Sequence, residues 1–145
     1  MKIWDSLIIA FSTYSSIPMP KADWKPENMR YSMCFFPLVG VVIGGLFWGL
    51  SALCRFLSVG DALFAAAATA LPAAVSGGIH LDGYCDVSDA LASRREREKK
   101  LEILKDPHTG AFAVISCALY LLLTYGLWTE LERGNSAVFV VAAGF

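Results

Sequence analysis

The chain has 145 residues, is 56% hydrophobic, and carries a formal net charge of −1 with a mean hydropathy of +0.53. A soluble domain is about 45–50% apolar, so the surplus excludes an ordinary water-soluble globule. The near-neutral charge excludes the basic field that a nucleic-acid-binding domain needs.

The apolar residues are gathered in long runs almost free of charge. Ile3 to Tyr14 is apolar, but a span needs about 20 residues. It reads as an interfacial or re-entrant helix, ended by Ile17-Pro18-Met19-Pro20. Asp5 inside it and the lack of a small-residue cleavage site argue against a signal peptide, so it is expected to be retained. Lys21 to Arg30 is a polar linker. Tyr31 to Cys54 is predicted to span the membrane, with Pro37 inside it. It contains two small-xxx-small pairs, Gly40 with Gly44 and Gly45 with Gly49, which allow close helix contact or are ordinary membrane glycines.

Arg55 to Asp61 is a turn. Ala62 to Ile79 is predicted as a second span, kinked at Pro72 and alanine-rich, hence packed among other helices. His80 to Thr109 is the one extended polar region. Gly110 to Trp128 is a third span, Glu130 to Asn135 a turn, and Ser136 to Phe145 the start of another apolar segment. Ten residues are too few to cross, so a truncated last helix is expected. The fold class expected is all-α: a polytopic integral membrane helical bundle, residues 1–145 forming one membrane domain. Lys21, Lys25 and Arg30 precede the first strong span, and Arg94, Arg95, Arg97, Lys99, Lys100 and Lys105 follow the second. Two spans separate the groups, so both are predicted cytoplasmic by the positive-inside rule.

Cys34, Cys54, Cys85 and Cys117 are scattered and make no zinc spacing. Cys34, Cys54 and Cys117 read as small packing residues.

The chemistry is concentrated in Gly77-Gly78-Ile79-His80-Leu81-Asp82-Gly83-Tyr84-Cys85-Asp86-Val87-Ser88-Asp89. Asp82, Asp86 and Asp89 stand at i, i+4 and i+7, on one face of a helix. Three like charges so placed repel unless a cation sits among them. Hard oxygen donors without matching Cys or His point to Mg²⁺ or Mn²⁺, and to chemistry on a phosphate-bearing substrate. Asp82 as a helix N-cap is the plainer alternative. Gly77-Gly78 ends the preceding helix and lets backbone approach a ligand. His80 either orients a ligand or sits at the interface with a backbone partner. Glu96 to Leu104 is charged with both signs, a solvated helical face or a rim that receives phosphates. Lys105 is a candidate phosphate partner. Asp106, just before Pro107 and Gly110, is a metal ligand, a general base or a cap.

These residues resemble the cobalamin synthase family, also called adenosylcobinamide-GDP ribazoletransferase. Its pattern Gly-Gly-x-His-Leu-Asp-Gly-x-x-Asp-x-x-Asp is matched at Gly77, Gly78, His80, Leu81, Asp82, Gly83, Asp86 and Asp89. A second block matches Leu101 to Asp106 and Gly110, a third Phe36-Pro37-Leu38 and Gly40, and a fourth Pro18 and Pro20. The resemblance implies an enzyme of the cell (inner) membrane that joins adenosylcobinamide-GDP to α-ribazole or its 5′-phosphate and releases GMP with Mg²⁺. It implies Asp82, Asp86 and Asp89 as metal ligands, Asp106 as a further catalytic acid or base, and His80, Arg94 and Lys105 as substrate contacts. These fall in a cytoplasmic active-site loop, about 80–109. The departures are Ser16 where relatives often carry Arg, and Cys85, Val87 and Ala90 where they usually carry Ala, Thr and Gly. Family members are also much longer, so the chain reads as the N-terminal part of a longer domain. A membrane phosphotransferase using a CDP-alcohol and a non-catalytic cation-binding subunit are the alternatives. A homo-oligomer is left open.

Overall fold

A computed structural model describes residues 3–131. Among these residues every regular element is helical: α1 (Ile3–Tyr14), α2 (Pro26–Met29), a 3₁₀ turn (Ser32–Phe35), α3 (Phe36–Phe56), α4 (Asp61–Ser76), α5 (Ile79–Ala92), α6 (Arg97–Ile103) and α7 (Ala111–Glu130). The apolar segment at 136–145 lies outside the described residues.

Among the described residues, two stretches are long and apolar enough to cross a membrane, Pro26–Phe56 and Ala111–Glu130. A third crossing is available if α4 and α5 count together. The span expected over Ala62 to Ile79 with a kink at Pro72 is corrected in one respect: it breaks further on, at Gly77-Gly78. α4 continues through Pro72 but stops at Ser76, and α5 departs at 93°. At 16 residues α4 is about 24 Å long, short of a hydrocarbon core of about 30 Å. The stop is made by Gly77 and Gly78, with φ of 68° and 77°. Two successive left-handed residues cannot continue a right-handed helix, and glycine adopts them without a Cβ penalty.

α4 packs against α3 and α7, as its alanine content leads one to expect. Ala65 and Ala68 are fully buried beside Phe64. Phe47 of α3 stacks on Trp128 of α7 at 5.2 Å between ring centroids, and Phe64 meets the same indole edge-on at 6.2 Å. Of the two glycine pairs in α3, Gly44 is buried and Gly40 half-buried, while a Cβ on Gly45 or Gly49 would meet open space. Only the first pair serves packing among the described residues. The outer faces of α3 and α7 are apolar and exposed, including Val41, Trp48, Phe56, Leu119, Leu122 and Leu123, as expected of surfaces turned to lipid or to further helices.

α1 lies against α2, the 3₁₀ turn and α3. Buried Asn28 holds this corner by donating from Nδ2 to the Asp5 carboxylate at 3.2 Å and to the Asp23 carbonyl at 2.9 Å.

Candidate active site

The acidic motif folds as a helix of its own, α5, and the bend before it decides where that helix points. Helix ends leave carbonyls without partners. Here Gly78 N–H donates to the Ala73 carbonyl at 2.9 Å, and Ser16 N–H donates to the Val75 carbonyl at 2.7 Å. The loop that follows α1 thus helps close the end of α4. A Cβ on Gly77 would run into Ser16 Oγ. Neither contact was legible in the sequence, where Ser16 was noted only as a departure from Arg.

α5 runs antiparallel along α7. Asp89 reaches Gly110 and Ala113, Cys85 Sγ is 3.9 Å from the Ala113 carbonyl, and the rings of Tyr84 and Tyr120 lie 5.8 Å apart. The bend therefore sits beside the middle of α7. There a cavity of about 90 Å³ opens, lined by Ile43, Pro72, Leu81 and Trp128 and also by His80 and Tyr120.

The expected site residues are distributed along α5 and the segment after it. His80 and Asp82 occupy its first turn, both exposed. Asp86, half-buried, lies one turn further on the face of Asp82. Asp89 turns to α7: its Oδ2 accepts from Gly110 N–H at 2.6 Å and its Oδ1 from Ala113 N–H at 2.8 Å. Arg94, with φ of 52°, is exposed just beyond α5, and Lys105 is exposed just beyond α6. His80 and Asp89 are nine residues apart, or about 14 Å along the axis, so one compact centre does not gather all of them. Among the described residues, no group of three or more His, Cys, Asp or Glu side chains stands close enough to hold a metal ion.

Asp106 already has a partner. Its Oδ1 lies 2.6 Å from His108 Nδ1 and accepts the His108 backbone N–H at 3.0 Å. The His108 side chain first, then that N–H, hold the Asp106 carboxyl below the usual carboxylate range. A carboxylate so stabilised is a weaker base than an ordinary one.

The donor chemistry fits Mg²⁺ in part. Asp82 and Asp86 offer hard oxygens one turn apart on an accessible face, and Mg²⁺ is commonly held by one or two carboxylates, with water and phosphate oxygens completing the shell. Asp89 has both oxygens committed to backbone N–H groups.

The fold and site together define a class: a helical protein with several candidate membrane crossings, one of them broken, carrying an accessible acidic helix beside the break. The cobalamin-5-phosphate synthase family model matches residues 6–145, and the chain belongs to that family. It is 48% identical over 141 residues to an adenosylcobinamide-GDP ribazoletransferase of Lachnoclostridium phytofermentans, covering 97% of this chain and 54% of that protein. An enzyme of the same description from Clostridium perfringens is 41% identical over 135 residues, covering 92% and 54%. One from Thermosynechococcus vestitus is 34% identical over 142 residues, covering 98% and 57%. The chain spans about half the length of the curated relatives it matches. No solved structure matches it.

Proposed function

We propose that the chain forms the N-terminal, acidic-motif-bearing part of a membrane enzyme that joins adenosylcobinamide-GDP to α-ribazole or its 5′-phosphate and releases GMP. The observation that carries this reading is the family match across residues 6–145, which includes the whole of α5. In the reaction the ribazole 3′-hydroxyl forms a new P–O bond to the phosphorus beside the cobinamide arm. The bond from that phosphorus to the oxygen bridging to GMP breaks, and the hydroxyl proton is lost.

Asp82 and Asp86 are the side chains that would hold Mg²⁺, which when bound neutralises charge on a diphosphate. Asp89 stands with them in the family pattern, but its carboxylate is turned to α7. His80, Arg94 and Lys105 are the cationic or hydrogen-bonding candidates for the phosphates. The depressed carboxyl of Asp106 favours holding His108 over accepting the ribazole proton. The apolar cavity beside His80 offers a sheltered surface for the flat aromatic base of the ribazole. The basic segments around Lys25 and around Arg94 to Lys105 support a cytoplasmic placement of the site in a cell membrane.

The test is GMP release from adenosylcobinamide-GDP and α-ribazole phosphate in membranes containing the chain, with and without Mg²⁺, beside Asp82→Asn. Release that needs the ribazole, Mg²⁺ and Asp82 is expected, either from this chain or from a version extended with the C-terminal half of a relative. Silence from both, with the proteins inserted, would refute the assignment. CMP release from a CDP-alcohol would point instead to the alternative phosphotransferase.

A further inference from the structure

We propose that Asp89 is a clasp between α5 and α7, a positioning residue that leaves the metal to Asp82 and Asp86. The part concerning the metal rests on the function proposed above; the clasp does not.

The first N–H groups of any helix lack intrahelical partners. α7 begins after Gly110, which has no side chain to cap it, and no residue of α7 supplies a side-chain cap. A single carboxylate from another helix does both jobs of a capping box. Asp89 Oδ2 takes the N–H of the cap residue Gly110 at 2.6 Å, and Oδ1 takes the N–H of the third helical residue, Ala113, at 2.8 Å. Its negative charge also faces the positive end of a 20-residue helix.

The fit is close. A Cβ on Gly110 would lie 2.6 Å from Asp89 Oδ1 and 2.7 Å from Oδ2, nearer than real Cβ contacts come. Gly110 is therefore the receiving half of the clasp. This joins two stretches that the sequence presents as separate blocks, the end of the acidic motif and the glycine that closes the Leu101 to Gly110 segment. A cation drawing on both Asp89 oxygens would compete with two short charged hydrogen bonds for the same lone pairs. Asp82 and Asp86 face no such competition from the N-terminus of α7. By fixing α5 along α7, the clasp sets where α5 points, while the one-turn spacing of Asp82 and Asp86 is set within α5 itself.

The test uses the whole chain in detergent and reads amide hydrogen exchange of the segment 106–116, together with binding of Mn²⁺ alone by electron paramagnetic resonance. Asp89→Asn leaves one N–H facing an amide donor. Gly110→Ala pushes the carboxylate away while keeping every acid. Both are expected to speed exchange of the segment by about tenfold or more, the scale of one charged hydrogen bond. Asp82→Asn is expected to leave that exchange unchanged but to weaken Mn²⁺ binding by roughly tenfold, while Asp89→Asn shifts it by no more than about twofold. The proposal is overturned if Asp89→Asn leaves exchange at the wild-type rate, or weakens Mn²⁺ binding as much as Asp82→Asn. Should Asp89→Asn fail to fold, Gly110→Ala decides, and an unaltered exchange rate there sinks the clasp. Absence of Mn²⁺ binding by the wild type would overturn the metal assignment alone, and exchange would still judge the clasp.

Discussion

Gly77 and Gly78 share a left-handed backbone but differ in their surroundings, and the difference can be measured. A side chain at either position costs about 1 kcal/mol for the conformation alone. At Gly77 it also collides with Ser16 Oγ, whereas at Gly78 it meets open space. Gly77→Ala is therefore expected to destabilise the chain more than Gly78→Ala in thermal unfolding in detergent, by roughly 0.5–1 kcal/mol, the cost of turning Ser16 Oγ aside. Replacing Ser16 by Gly in the Gly77→Ala background should recover part of the loss. Asp106 gives a pH prediction of definite sign. Its carboxyl is depressed on folding by His108, so the contribution of this contact is present above the ordinary carboxylate value of about 3.9. It is lost as pH falls through the lower folded value. The turn at 106–109 should thus resist proteolysis down to about pH 4 and open only in stronger acid, and Asp106→Asn should remove that pH dependence.

At the scale of elements, the break between α4 and α5 is the feature that shapes the candidate site. Continued straight, the chain from Asp61 to Ala92 would be one helix with its carboxylates strung along it. Bent by 93°, it opens a cavity between Thr69, Pro72 and Ser76 on one side and Tyr120 and Thr124 on the other, with His80 at its edge. The hydroxyls of Thr69 and Thr124 are already spent on carbonyls of their own helices, at 2.8 Å each. The cavity is consequently more apolar than its residue names suggest, which suits a flat aromatic group. Filling it with Ser76→Leu is expected to raise KM for the ribazole substrate by roughly tenfold, with KM for adenosylcobinamide-GDP little changed. An equal rise for both substrates would count against the cavity as the place of the aromatic base.

On the scale of the whole molecule, the outward faces of α3 and α7 are apolar, and the basic residues lie in the linker before α3 and in the segment between α5 and α7. Counting α4 with α5 as one broken crossing keeps both basic segments on one side, which the positive-inside rule predicts to be the cytoplasmic one. A cysteine introduced at exposed Lys99 (Lys99→Cys) should therefore resist a membrane-impermeant maleimide in intact cells and react once the cells are opened. Labelling in intact cells would reverse the topology. Relatives are nearly twice as long as this chain, and extension with the C-terminal half of one of them is expected to raise GMP release.

Much of this was written in the chain itself, because hydropathy and local chirality act over a few residues. The limits of α1, the alanine packing of α4, the helical spacing of Asp82, Asp86 and Asp89 and the stop at Gly77-Gly78 all follow from side chains read in order. The acidic block, through its family pattern, also pointed to the chemistry proposed for the site. Tertiary structure alone decided the rest. The 93° turn, the approach of Ser16 to Gly77 and the capture of the Gly110 and Ala113 N–H groups by Asp89 depend on which elements meet. Spacing puts three carboxylates on one face but cannot say what stands opposite that face. The third stands opposite the N-terminus of α7, whose Gly110 and Ala113 N–H groups donate to it.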